Sequence, residues 1–193
     1  MRDSLAPEVV LPRLRGRFGR PGYVYVERCP STQRLLAGAD EGGVAVAEEQ
    51  TEGRGRLGRQ WVAAPGTSVL FSVLLRPSVA VERLPELTPL AAEATAEALA
   101  EVAAVRPTLK EPNDVLIGER KVAGILGEAR DGVVTLGIGI NVNVPPGELP
   151  TETRLPATSL LAETGNRVDR AELLVTLLER LERRYDAWLS IKA

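Results

Sequence analysis

Residues Gly53 to Trp61 read GRGRLGRQW, three guanidinium groups alternating with three glycines and closing on one of the chain's two tryptophans. Arg54, Arg56 and Arg59 can each fork onto the oxygens of a phosphate or carboxylate. Gly53, Gly55 and Gly58 let the backbone adopt positive φ and come close to a ligand. The chemistry this suits is the capture of an anion. With three like charges and few apolar groups the loop has little to hold it folded when empty, so an anionic ligand would order it and spend binding energy doing so. A solvated loop, or an arginine-glycine segment that grips single-stranded nucleic acid, are the other readings of the same residues.

A second group of rare residues points the same way. The chain has 24 cationic residues and only three of them, Lys110, Lys121 and Lys192, are lysine. Where arginine is the default, a lysine marks a place for a compact ammonium instead of a planar fork. KEPND at 110–114 runs into a hairpin and KVAGIL at 121–126 returns from it, which predicts that Lys110 and Lys121 approach one another across the strand pair with an anion between them. Gly124 and Gly127 would keep the returning strand thin enough for a flat ligand. Pro112 removes a ladder donor, so the outgoing strand is expected at an edge or a bulge. Asn113, Asn141 and Asn143 fall in the same stretch of sequence.

Composition narrows what else the chain can do. A formal net charge of -2 excludes a general polyanion binder, which needs many unopposed cations. With no histidine and a single cysteine, Cys29, there is no internal disulfide, no zinc-ligand set and no histidine-based triad. No run of about 18 apolar residues occurs, and MRDSLAPEVVLPRL lacks the apolar core of a signal peptide. No membrane partner and a cytoplasmic location are therefore expected. The 193 residues, 44% hydrophobic, suit one domain with a sizeable core.

The elements that must carry these residues can be read from periodicity and turn signals. Residues 1–22, rich in Arg and Pro, are expected to be a solvated leader with a short helix near Pro7 to Leu14. YVYVER at 23–28 alternates as a strand, and Ser31 or Thr32 can cap a helix ending near Gly38. GGVAVAEEQ at 42–50 and SVLFSVLLR at 68–76 read as buried strands, and residues 84–102 as an alanine-rich helix with Thr88 as cap and Pro89 at its first position. From Thr108 a meander is expected: one strand over 108–117, a Gly118-Glu119 turn, a strand to Arg130, an Asp131-Gly132 turn and a strand over 133–144. A short helix over 159–163 and a long amphipathic one opened by Asp169 complete an α+β fold, a central mixed or antiparallel sheet with flanking helices.

Taken together these residues resemble the biotin protein ligases. GRGRLGRQW matches that family's GRGRxGRxW loop, KEPND resembles its KWPND with Glu111 in place of Trp, and KVAGIL with Glu128 resembles its KxxGILxE strand. GIGINVNVP and ATSL at 157–160 follow in the family's order, and the similarity spans roughly residues 23–189. The resemblance implies a class II aminoacyl-tRNA synthetase-like catalytic domain over 23–193, with biotin and ATP as substrates and Mg2+ as companion ion. It also implies that Ser31, Thr32, Gln50 and the backbone around Gly53, Arg54 and Gly55 hold the biotin ureido group. Arg56, Arg59, Trp61 and Lys121 would then surround the acyl-adenylate, and Asn113 and Asn141 would complete the site with Lys110, Gly124 and Leu126.

Biotin's carboxylate would attack the α-phosphate of ATP, and a lysine of a biotin carboxyl carrier protein would then take the biotinyl group. The carboxylate is already ionised at neutrality, since such acids titrate near ~4, so no histidine base is needed. Fixed charges must instead offset the repulsion between two anions. Lys121 and Arg56 are expected to do so, and Asp114 to accept or orient the proton lost by the acceptor lysine, or else simply to shape the hairpin turn.

The family's small C-terminal β-barrel has no counterpart before Ala193, and no N-terminal helix-turn-helix pattern is present, so no DNA partner is expected. A homodimer through a sheet edge is compatible with the resemblance, with GIGINVNV as a candidate edge or an ordinary buried strand. Two other functions remain open: a lipoate or octanoate ligase or transferase of the same fold, and a non-enzymatic biotin-binding module.

Overall fold

The computed structural model describes residues 3–151 and 153–191, with the side chain of Leu57 outside the description. Lys192 therefore lies outside the described residues. Seven strands form one mixed sheet: β1 (Tyr23–Cys29), β2 (Val44–Gln50), β3 (Ser68–Leu75), β4 (Pro107–Lys110), β5 (Asp114–Ile117), β6 (Arg120–Arg130) and β7 (Val133–Asn141). Their spatial order is β1-β2-β3-β7-β6-β5-β4, with β1 and β2 parallel and every other pair antiparallel. The α+β expectation holds. The Asp131-Gly132 hairpin also forms as its sequence dictates, both residues taking positive φ, 52° and 76°.

One face of the sheet is covered by α1 (Pro7–Val10), α2 (Leu87–Ala103) and α4 (Arg170–Ser190), while α3 (Leu160–Thr164) follows the loop after β7. The alternation along β7 explains the layering: Val134, Leu136, Ile138 and Ile140 are buried in the core, while the residues between them are only partly covered. Asp169 caps α4 by accepting from the N–H groups of Ala171 and Glu172, as the sequence predicts.

Three expectations need correction. Residues 3–20 are no solvated leader, because Leu5, Val10, Leu14 and Phe18 recur every four or five residues and all lie in the core. The 108–117 segment is two strands: β4 ends at Lys110, the chain turns at 111–113, and β5 returns against it. Pro112, with no N–H to give, sits in that turn, and the irregularity falls later, between Val115 and Leu116. Third, α2 begins at Leu87 after a 3-10 segment over Val81–Glu86, so Thr88 is not its cap.

Helices α2 and α4 are laced by ion pairs from Arg180, Arg183 and Arg184 to Glu101, Glu97 and Glu93. The hydrogen bond from Arg184 is the main cause that holds the Glu97 carboxyl below its ordinary 4.5. A carboxyl lowered on folding stabilises the fold above 4.5 and loses that contribution as the pH falls through its folded value. These groups are partly exposed, so the effect is small, under about 1 kcal/mol. Glu97→Gln should therefore lower urea stability slightly near pH 7 and leave it unchanged well below 4.5.

Candidate active site

On the face opposite the helices, the loop after β2 folds over β6 and β7 and encloses a cavity of about 520 Å³. Its floor is made of glycine. Gly124 and Gly139 are paired across β6 and β7, and a Cβ on Gly139 would stand 2.7 Å from the Trp61 ring. On Gly124 it would stand 2.9 Å from Lys121 Nζ and 3.1 Å from the Trp61 ring. The indole therefore rests on bare backbone, with Lys121 Nζ 5.4 Å from its centroid. Its N–H is buried and meets no acceptor among the described residues. Gly137 plays the same part for Gln33, whose amide lies across it and donates to Leu126 O at 2.9 Å.

The arginine loop is closed by its own backbone. Arg54 bridges Gln60, Gly55 N–H donates to Arg59 O at 2.7 Å, and Trp61 N–H donates to Gly53 O at 2.8 Å. Of its glycines only Gly58 uses positive φ, at 73°. Gly53 is needed for another reason, since a Cβ there would meet Trp61 O at 2.4 Å. Arg54 reaches Glu128 at 3.0 Å and fastens the loop to β6.

At one end of the cavity Gln50 Oε1 accepts from Thr32 N–H at 2.8 Å and from its hydroxyl, which also meets Ser72 Oγ at 2.7 Å. Ser31 precedes a 3-10 turn over Thr32–Leu36, yet its side chain makes no capping bond. At the other end Asp114, 4% exposed, binds Lys121 Nζ at 2.5 Å. Asn113 and Asn141 are buried and donate their amide hydrogens to Ile125 O and Thr158 O, so both tie the wall together.

The cavity thus gathers Ser31, Thr32, Gln50, Arg54, Gly55, Arg56, Arg59, Trp61, Asn113, Asp114, Lys121, Gly124, Leu126 and Asn141. Two candidates lie outside it. Gly53 is buried at the loop's base, and Lys110 is exposed on β4. Lys110 cannot share an anion with Lys121 as expected, because β5 separates β4 from β6 and Lys121 is matched by Asp114. Ile125 and Leu126 both line the cavity, and Ile125 belongs to the core as well. GIGINVNV is no edge, since β7 lies between β3 and β6. The residues the sequence reading missed are Gln33, Ser72 and Arg154, of which Gln33 alone adjoins a recognised motif.

The glycine floor carries a testable consequence. Overpacking costs about 1–3 kcal/mol when a core has to absorb it. Here the exposed loop can yield instead of the sheet, so Gly139→Ala should change urea stability by less than about 1 kcal/mol. Tryptic cleavage after Arg54, Arg56 or Arg59 should accelerate. Unchanged cleavage would show that the indole does not depend on that seat.

Among the described residues no helix is long and apolar enough to cross a membrane and no group of three acidic, histidine or cysteine side chains could hold a metal ion. Residues 25–144 match the model of the biotin/lipoate A/B protein ligase family. The bifunctional ligase/repressor BirA of Bacillus subtilis is 41% identical over 86% of this chain and 54% of its own. The biotin--[acetyl-CoA-carboxylase] ligase of Mycobacterium tuberculosis is 40% identical over 80% of this chain and 59% of its own. The chain spans about half the length of the curated relatives it matches. A solved biotin protein ligase from Aquifex aeolicus, in complex with biotin and ATP, superposes with a TM-score of 0.78 at 36% identity, covering 86% of this chain and 71% of that one.

Proposed function

Because the chain belongs to the biotin/lipoate A/B protein ligase family, we propose that it joins biotin to AMP with release of pyrophosphate and then passes the biotinyl group to a lysine of a biotin carboxyl carrier protein. The observation that carries this reading is the placement of Arg56, Arg59 and Lys121 around one cavity in which the Trp61 indole lies flat on Gly124 and Gly139. A flat ring system can stack on that indole, and an anion fits among such cations.

Ser31, Thr32 and Gln50 offer the polar end suited to the ureido group of biotin. The Ser31 hydroxyl is unspent on capping, and Gln50 has its oxygen committed to Thr32. In the first step a biotin carboxylate oxygen bonds to the α-phosphorus as the bond to the β-bridging oxygen breaks. Lys121 offsets the charge on the α-phosphate, and Asp114 orients its ammonium. Trp61 supplies a ring for the adenylate to lie against. Mg2+ would arrive on the nucleotide's own phosphates and waters, neutralising charge there, since Asp114 is the sole carboxylate lining the cavity among the described residues. Such a reaction belongs in the cytoplasm, where ATP is abundant.

The test is pyrophosphate release from ATP by the purified chain with biotin, with lipoate and with neither. Release that depends on biotin and is followed by single-turnover transfer to a carrier domain is expected. Release that is absent, indifferent to biotin or faster with lipoate would overturn the reading.

A further inference from the structure

We propose that Arg154 is the contact for the leaving pyrophosphate, an inference that rests on the ligase reading and assigns a part of the same cavity to one end of the nucleotide. The cations around the cavity differ in how far they are already committed. Arg54 is held by Glu128 and Gln33, the Nε–H of Arg59 donates to Arg56 O inside its own loop, and Lys121 is held by Asp114. Arg56 and Arg154 are the loosely committed cations, and of the two it is Arg154 that stands beside Asp114 at the Lys121 end. Its guanidinium donates no hydrogen bond among the described residues, its side chain is 60% exposed, and its one ionic neighbour is Asp114 Oδ2 at 3.7 Å.

Its position is nonetheless fixed by the backbone. Lys121 N–H donates to Pro156 O at 2.8 Å and Thr158 N–H donates to Lys121 O at 2.9 Å, so the strand segment after Arg154 is hydrogen-bonded to both sides of Lys121. Any shift of that segment along β6 would break both bonds. Arg154 therefore stands over the Lys121 end of the cavity, away from Thr32 and Gln50. Asp114 marks the spacing, with one carboxylate oxygen facing Lys121 and the other facing Arg154. Two cations that share one carboxylate in this way can both reach a single polyanion.

The chemistry asks for a second cation there. As the carboxylate oxygen bonds to the α-phosphorus, the electron pair of the breaking P–O bond goes to the bridging oxygen and departs with pyrophosphate. No proton moves. Lys121 meets the α-phosphate, while the charge that grows on the departing side needs its own donor. A guanidinium matches two phosphate oxygens at once, and a loosely paired one can leave Asp114 at little cost.

The experiment compares the wild-type chain with Arg154→Ala and Arg154→Lys. Three quantities are read: biotin binding by calorimetry without nucleotide, biotin-dependent pyrophosphate release with its inhibition by added inorganic pyrophosphate, and transfer from preformed biotinyl-AMP to a carrier domain. Arg154→Ala should slow release by about 10- to 100-fold and weaken pyrophosphate inhibition by at least about tenfold, with biotin affinity and transfer within about twofold. Arg154→Lys should recover part of both. Release and inhibition within twofold of wild type would overturn the inference while leaving the ligase reading intact. An equal loss in release and transfer would overturn it too, since that is what a merely structural support of Asp114 and Lys121 would give. Absence of biotin-dependent release in the wild type would overturn both.

Discussion

Lys121→Ala should lower biotin-dependent pyrophosphate release by about 10²- to 10³-fold, the typical loss when a preorganised donor is removed from a developing charge. Lys121 is confined on every side. Its Nζ binds Asp114 at 2.5 Å, lies over the Trp61 ring, and is so close to the backbone of Gly124 that a Cβ there would come within 2.9 Å of it. Little reorganisation is then left for the moment of reaction, which is what makes a fixed charge effective in a water-poor site. Lys121→Arg should not restore the rate, because a planar fork needs room that Gly124 and Trp61 leave only for an ammonium. Initial rates of pyrophosphate release, beside urea unfolding of the same samples, provide the check. A rate within threefold of wild type would remove Lys121 from the reaction.

The second large effect is on stability and lies far from the chemistry. Arg170, 4% exposed at the start of α4, donates to Glu48 at 2.6 Å, to Ser68 O at 3.0 Å, and to the side chain and carbonyl of Asp3 at 3.0 and 2.7 Å. Burial alone would push its guanidinium down, and the hydrogen bond and charge of Glu48, with Asp3 behind them, push it up by more. Arg170→Ala strands Glu48, 8% exposed, without its counter-charge. Breaking a buried pair from one side costs about 3–5 kcal/mol, a large share of the 5–15 kcal/mol typical of a domain. Urea unfolding should show that loss, and Arg170→Met combined with Glu48→Leu should recover most of it, because the apolar pair leaves no charge behind. A single variant within about 1 kcal/mol of wild type would contradict the account.

The same cluster shows why part of the molecule could not be read from its sequence. Asp3, Glu48 and Arg170 are 167 positions apart end to end, and each looks alone like a surface charge. Only the fold brings them together. By contrast, the Asp131-Gly132 turn, the Asp169 cap and the arginine loop were legible, because each is decided by residues next to one another. Lys110 and Lys121 failed as a pair for an equally local reason. Residues 111–113 turn the chain, and that small break put one lysine on the outer edge of the sheet and the other in the cavity. Arg154 was hidden because its loop carries no motif, and its place depends on backbone bonds to a strand more than thirty residues earlier.

The distribution of indoles has a practical consequence. The chain's second tryptophan, Trp188, is buried behind the sheet, stacked on Tyr185 with centroids 6.0 Å apart, covered by Arg83 and hydrogen-bonded to Glu86. Trp61 sits in the cavity with an unsatisfied N–H. Intrinsic fluorescence therefore divides into a constant emitter and a responsive one, so that any spectral change on titrating a ligand into the unlabelled protein originates at the lid of the site.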